Sequence, residues 1–163
     1  MKITRIGIFA LAAFTLGATA AQAQSVTFES TLGPPTLVGG VGPDDAGGGG
    51  YWTSRSTITT KGDGKTTGTR ISTSTSTCVG MNQPSGAIYD RHVTCTMKSG
   101  DAELGSILGC MKGAKGSGEM TCTGYVSGKT GEAKGHLGLI TIHYKFNPDG
   151  SGGTATGTGQ WTK

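Results

Sequence analysis

The densest group of side chains that could do chemistry is the run Tyr89-Asp90-Arg91-His92. On a β-strand Asp90 and His92 would share one face, and an aspartate beside a histidine is a common way to orient a general base. The sequence contains no G-x-S-x-G elbow or other recognisable nucleophile to accompany this pair. We therefore interpret the run as a polar strand entry and predict no catalytic residue.

The remaining histidines and the acidic residues form no metal-binding pattern. His136 and His143 fall on one predicted strand at an odd spacing, so their side chains would point to opposite faces. Asp44 and Asp45 carry the hard oxygens that calcium prefers, but two adjacent acids without a repeat motif make a poor site. We predict no bound metal and no cofactor.

The cysteines are an even set without C-x-x-C spacing, which favours structural disulfides over a zinc site or dithiol catalysis. Cys78 and Cys95 are symmetric about the turn at 84–86, and Cys110 and Cys122 about a later glycine-rich turn. This symmetry favours the pairs Cys78 with Cys95 and Cys110 with Cys122. Directly opposite hairpin residues are not ideal disulfide partners, so the nested pairing of Cys95 with Cys110 and Cys78 with Cys122 stays open.

Three aromatic residues could form the rim of a ligand site: Tyr51, Trp52 and Trp161. Exposed aromatic rings stack on apolar ligands and on the faces of sugar rings. The alternative interpretation is that the tryptophans close the ends of a hydrophobic core.

Threonine recurs at alternate positions, for example at Thr73, Thr75 and Thr77 and again at Thr154, Thr156 and Thr158. Alternation along a strand places each row on one face. Threonine suits an exposed strand face, and no fixed period joins one row to the next as a solenoid repeat would require. We interpret the rows as solvent-facing.

The elements that position these residues begin after an export signal. Lys2 and Arg5 precede an apolar run at 6–20, and Ala21-Gln22-Ala23 follows it with small-residue cleavage spacing. This is the pattern of a secretory signal peptide at 1–23, and its apolar run is too short to span a bilayer. We predict a soluble periplasmic or extracellular protein, in an oxidising compartment that suits disulfides.

Composition limits the fold and the partners. The 163 residues include 31 glycines and carry a formal net charge of +4, with the basic residues scattered singly. Scattered charge disfavours nucleic acid and anionic membrane surfaces as main partners. We also predict no membrane insertion. We predict one globular domain at 24–163, comprising an N-terminal strand and Gly/Pro-rich loop at 24–50 and a β domain at 51–163.

Alternating patterns and turn residues predict seven strands, at 25–32, 51–61, 66–79, 88–98, 119–127, 135–146 and 152–161. The Gly62-Asp63-Gly64-Lys65 junction is a strong hairpin signal. Residues 33–50 are predicted to be a loop. In the strand at 135–146, Ile140, Ile142 and Tyr144 share one face and are expected in the core.

The segment 102–112 is ambiguous. Leu104, Ile107, Leu108 and Met111 match helical spacing, whereas internal glycines weaken a helix. We favour a short helix there over a strand.

The predicted fold class is therefore mainly β, a small antiparallel up-and-down barrel or sandwich of about seven to eight strands. If 102–112 is a strand instead, the result is an eight-stranded up-and-down barrel. An outer-membrane barrel is disfavoured because aromatics are few and the strand near 66–77 has no apolar stripe.

Three glycine- and threonine-rich segments between Cys122 and Trp161 carry a resemblance. They are Thr-Gly-Tyr-Val-Ser-Gly-Lys-Thr-Gly-Glu-Ala-Lys-Gly at 123–135, Asp-Gly-Ser-Gly at 149–152 and Thr-Gly-Thr-Gly-Gln-Trp at 156–161. This region resembles the C-terminal half of small secreted bacterial β-barrels of the allene oxide cyclase and dirigent-like type. The resemblance implies a barrel with an internal cavity and a tendency to form homo-oligomers. It transfers no catalytic residue.

These features predict a secreted or periplasmic β domain without enzymatic activity that binds a small apolar ligand or a glycan. A cyclase- or hydrolase-type barrel enzyme is one alternative, which gains support if Asp90 and His92 line a closed pocket. A cell-surface or matrix interaction protein is the other, which a flat exposed threonine surface without a cavity would favour.

Overall fold

The computed structural model describes residues 24–40, 47–62 and 65–162. The predicted signal peptide at 1–23, the two acids Asp44 and Asp45, and the Asp63-Gly64 turn lie outside the described residues.

The described chain forms nine strands and one short 3-10 turn. The strands are β1 (Gln24–Leu32), β2 (Thr36–Gly40), β3 (Gly47–Gly62), β4 (Lys65–Asn82), β5 (Arg91–Ser99), β6 (Ala102–Lys112), β7 (Glu119–Thr130), β8 (Leu137–Phe146) and β9 (Gly153–Thr162), and the turn is η1 (Gly131–Ala133).

Eight of these strands close into an antiparallel barrel. The order is β1, β9, β8, β7, β6, β5, β4, β3, and β3 pairs again with β1 to complete the ring. The extra strand, β2, pairs with the first residues of β3. The predicted fold class is confirmed, and the architecture is a barrel.

The prediction of a helix at 102–112 is wrong. This segment is β6, and it is paired with β5 on one side and β7 on the other. Two neighbouring strands satisfy its backbone hydrogen-bonding groups, and Gly105 and Gly109 disfavour a helix. No helix among the described residues is long and apolar enough to cross a membrane.

The prediction of a continuous loop at 33–50 is also wrong in part. Only 33–35 lack strand structure before β2, and residues 47–50 are the first residues of β3. Proline at 34 and 35 interrupts the strand ladder there, since neither has a backbone N–H to donate. Beyond this break the chain pairs with the glycine run, from Thr36 opposite Tyr51 to Gly40 opposite Gly48.

Threonines cover much of the outer surface. One row crosses six consecutive strands through directly opposed residues: Thr69, Thr59, Thr27, Thr158, Thr141 and Thr123. β-branched side chains suit such cross-strand pairs. The predicted rows at Thr73, Thr75 and Thr77 and at Thr154, Thr156 and Thr158 are exposed, and the residues between them point inward.

Candidate functional site

The interior of the barrel holds a cavity of about 470 Å³. Eight strands make an interior that inward side chains can just fill, or that can hold one small ligand. Here the inward side chains leave part of the interior empty, because many of those on one half of the barrel wall are small.

One half of the wall is lined by serines on β3 and β4. We call it the serine wall: Ser54, Ser56, Ser72, Ser74 and Ser76. Along each strand the serines alternate with exposed residues, mostly threonines, so all five serines share the inward face. Serine is among the smallest side chains, so this half leaves space beside it.

The serine hydroxyls are partly satisfied by one another. The Oγ atoms of Ser54 and Ser74 lie 2.9 Å apart, and those of Ser30 on β1 and Ser56 lie 2.7 Å apart. At the other border of the wall, the Oγ atoms of Ser72 and Ser99 lie 2.6 Å apart. A hydroxyl has one donor and two acceptor sites, so each pair retains capacity to bond a third oxygen or nitrogen.

The opposite half of the wall comes from β6, β7 and β8 and is apolar. We call it the apolar wall: Leu108, Val126, Ile140, Ile142 and Tyr144. Ile140, Ile142 and Tyr144 are three of the residues expected in the core, and all three pack against the buried cluster at Leu108. Burial raises the pKa of Tyr144 to about 12, and its ring stacks on Phe146 at 5.6 Å.

One end of the barrel, which we call the cysteine end, is closed. Cys110 and Cys122 form a disulfide and are almost fully buried with Leu108, and Val93 and Met120 pack against them. The second disulfide joins Cys78 and Cys95 across β4 and β5 at the same end. This is the pairing that the turn symmetry favoured.

The other end, which we call the open end, exposes the cavity. Arg70 on β4 and Glu132 in η1 both line the cavity, and they form an ion pair. Their side chains are 57% and 62% exposed, so solvent reaches the cavity beside them. Their mutual pairing leaves no unpaired charge among the described Asp, Glu, Lys and Arg side chains that line the cavity.

Two of the three aromatic residues predicted for a ligand rim do line the cavity. Trp52 lies on β3 next to the serine wall, and Trp161 lies at the open end. The Trp161 ring meets His136 edge-on with centroids 6.2 Å apart. Tyr51 points outward and is about half exposed.

The polar run at 89–92 is divided among separate contacts. Asp90 Oδ2 accepts a hydrogen bond of 2.7 Å from the backbone N–H of Lys112, which ties the β4–β5 connection to the end of β6. The Tyr89 ring lies against Gly109 and 5.7 Å from the His92 ring. The Arg91 side chain packs on Gly80. None of the four lines the cavity.

The histidines lie apart, as their spacing indicated. His136 lines the cavity, whereas Nδ1 of His143 lies 3.0 Å from the Thr121 hydroxyl on the outer surface. Within the described residues, no three His, Cys, Asp or Glu side chains gather where they could hold a metal ion.

Sequence reasoning missed the serine wall. Its signal was present as strict alternation of serine and threonine from Ser72 to Thr77. Both residue types count as polar, so the pattern showed no apolar face. Only the closed barrel turns the small residue inward and the β-branched residue outward.

Comparison with known proteins finds no relative of this chain. No family model matches the chain, and no curated protein or solved structure is significantly similar to it. The resemblance to allene oxide cyclase and dirigent-like barrels therefore stays a prediction.

Proposed function

We propose that this protein is a non-enzymatic binding protein that holds a small amphipathic molecule inside the barrel. The ligand has an apolar side, which contacts Ile140 and Ile142, and a side with hydroxyl or carbonyl oxygens, which bonds the serine wall. The single observation that carries this proposal is the two-sided cavity of about 470 Å³.

The size and lining of the cavity support a ligand in preference to solvent alone. Small-molecule sites have volumes of roughly 300–1,000 Å³ and combine apolar lining with a few polar groups that fix orientation. The serine wall supplies neutral donors and acceptors, and the two charges at the open end pair with each other. An uncharged ligand matches this lining.

The cavity also favours this function over the two alternatives. Asp90 and His92 in a closed pocket would favour the enzyme alternative, but Asp90 is bonded to the Lys112 backbone and His92 lies beside Tyr89. A threonine surface without a cavity would favour the surface-interaction alternative, but this barrel holds a cavity.

The two disulfides fit an oxidising setting. We propose that the protein is exported, with cleavage after Ala23, and that it acts in the periplasm or outside the cell.

Titration with N-phenyl-1-naphthylamine, an uncharged naphthyl probe with one N–H donor, tests the proposal. We expect saturable fluorescence enhancement with one probe per barrel. The double variant Ser54→Leu/Ser74→Leu should strongly weaken it, because these opposed residues face the cavity and two leucines would remove two hydroxyls and occupy part of the space.

The matched control is Thr53→Leu/Thr75→Leu, the neighbouring opposed pair, whose side chains are exposed. It adds apolar bulk to the same two strands outside the barrel and should leave binding unchanged. Equal loss in both variants, or no saturable binding by the native chain, would contradict the proposal.

Native mass spectrometry of the protein purified from its own cells addresses the natural ligand. We expect an added mass that disappears on denaturation and is strongly reduced in the Ser54→Leu/Ser74→Leu variant.

A further inference from the structure

At the open end, β4 extends beyond the last of its residues that pairs with β5. β4 pairs with β3 from Met81 down to Lys65, but its pairing with β5 ends where Thr75 meets Lys98. β3 is flanked on its other side by β1 as far as Lys61. Within the described residues, the segment of β4 from 65 to 74 thus has a strand partner on one side only.

The unpaired side of this segment, which we call the β4 edge, has little protection from Gly68 to Ser74. The register shift near Thr67 and the charged residue Lys65 lie at its tip. An exposed strand edge is a template for another strand unless charges, prolines or bulges block it. One carbonyl, that of Thr73, accepts a hydrogen bond from Ser99 Oγ at 3.0 Å. The one charged residue between 67 and 74, Arg70, faces the cavity and pairs with Glu132.

The outward face of the same segment carries an exposed isoleucine. Ile71 is 63% exposed and lies between Thr69 and Thr73. Isoleucine and threonine are strong strand formers that gain from cross-strand contacts.

We propose that the β4 edge pairs with the same edge of a second copy of this chain, antiparallel and centred on Ile71. This register sets Ile71 opposite Ile71 of the partner subunit and Thr69 opposite Thr73 of the partner subunit. It sets Arg70 opposite Ser72 of the partner subunit, so no like charges face each other. Centring on Arg70 would oppose two guanidinium groups, which is unfavourable.

The pairing fixes how the two barrels are arranged. Because the edges run antiparallel and each lies at the open end of its barrel, the barrels lie on opposite sides of the paired edges. Their open ends face each other, and Arg70 of each copy lies near the interface. This proposal does not rest on the proposed ligand, since the strand edge exists whether or not the cavity is occupied.

The test is the mass of the protein by sedimentation velocity, from nanomolar to high micromolar concentration, for the native chain and two matched variants. Ile71→Lys places two lysines opposite each other and should abolish the dimer. Ile107→Lys is the control, because Ile107 is also an outward isoleucine, 63% exposed, on a strand paired on both sides. It should leave the dimer intact.

An unchanged urea midpoint would confirm that Ile71→Lys still folds. As a second variant, Ile71→Cys should form a covalent dimer under oxidising conditions, because the two residues are directly opposed. A native chain that stays monomeric, or equal dissociation of both lysine variants, would overturn the proposal. A native complex of this chain with a different polypeptide would also overturn it.

Discussion

The serine wall and the apolar wall are built by similar strands and have opposite interiors. Both present threonines to solvent, yet one turns serines inward and the other turns Leu108, Val126 and Ile142 inward. The apolar wall continues into the buried disulfide at the cysteine end, whereas the serine wall faces empty volume. The difference indicates that the stability of this barrel comes mainly from the apolar wall, whereas the proposed polar contacts to a ligand come from the serine wall.

The largest effect that would test this division is loss of a disulfide. Replacing both Cys110 and Cys122 with alanine should lower the free energy of unfolding by up to about 5 kcal/mol, through lost cross-linking and lost packing. Replacing Cys78 and Cys95 with alanine should lower the free energy of unfolding by about 3 kcal/mol. This loss is smaller because Cys78 and Cys95 line the cavity and make fewer packing contacts.

Urea unfolding of both double variants under oxidising conditions measures the difference. If replacing Cys78 and Cys95 lowered the free energy of unfolding more than replacing Cys110 and Cys122, the strands of the serine wall would contribute more to stability than we infer.

A smaller effect is expected from single truncations on the two walls. Leu108→Ala removes a side chain that is only 3% exposed, and should cost about 3 kcal/mol. Ser74→Ala removes one hydrogen bond to Ser54 and should cost about 1 kcal/mol. Thermal unfolding compares the two. Similar losses would show that the serine pairs stabilise the barrel as strongly as the apolar cluster does.

The last effect is a pH dependence on the apolar wall, which is expressed only at alkaline pH. Burial raises the pKa of Tyr144 from 10.0 to about 12, so the folded protein holds this proton more tightly than the unfolded chain. The stabilisation is fully present below pH 10 and is lost as the pH rises towards 12, with a slope of at most about 1.4 kcal/mol per pH unit.

Unfolding midpoints at a series of pH values from 9 upward measure this slope, and Tyr144→Phe is the control. The phenylalanine variant lacks the ionisable hydroxyl, so its midpoint should fall less with pH. If the midpoints of the two proteins fell equally with pH, the loss of stability at alkaline pH would come from groups other than Tyr144.

Local sequence signals predicted most of the barrel. The turn at 84–86 predicted the β4–β5 hairpin and with it the Cys78–Cys95 pair. Such contacts join residues close in sequence, so turn chemistry and alternation are sufficient to predict them.

The errors and omissions have a different cause. β6 contains helical spacing at Leu104 and Leu108, and only pairing with β5 and β7 selects the strand. β3 and β4 have two polar faces, and the cavity depends on which of them turns inward. That is decided only when the barrel closes, by pairing of β1 with β9, which are far apart in the sequence. Patterns within one strand contain no information about that closure.

The pairing of β1 with both β3 and β9 also sets the order of folding. β1 is the first of these strands to be synthesised and β9 the last, so the ring cannot close until the final strand is available. The hairpins that carry both disulfides need only local contacts and can form earlier. Contacts between distant residues fold slowly, so closure of β1 against β9 is expected to limit the folding rate. Until then the nascent chain exposes two unpaired strand edges.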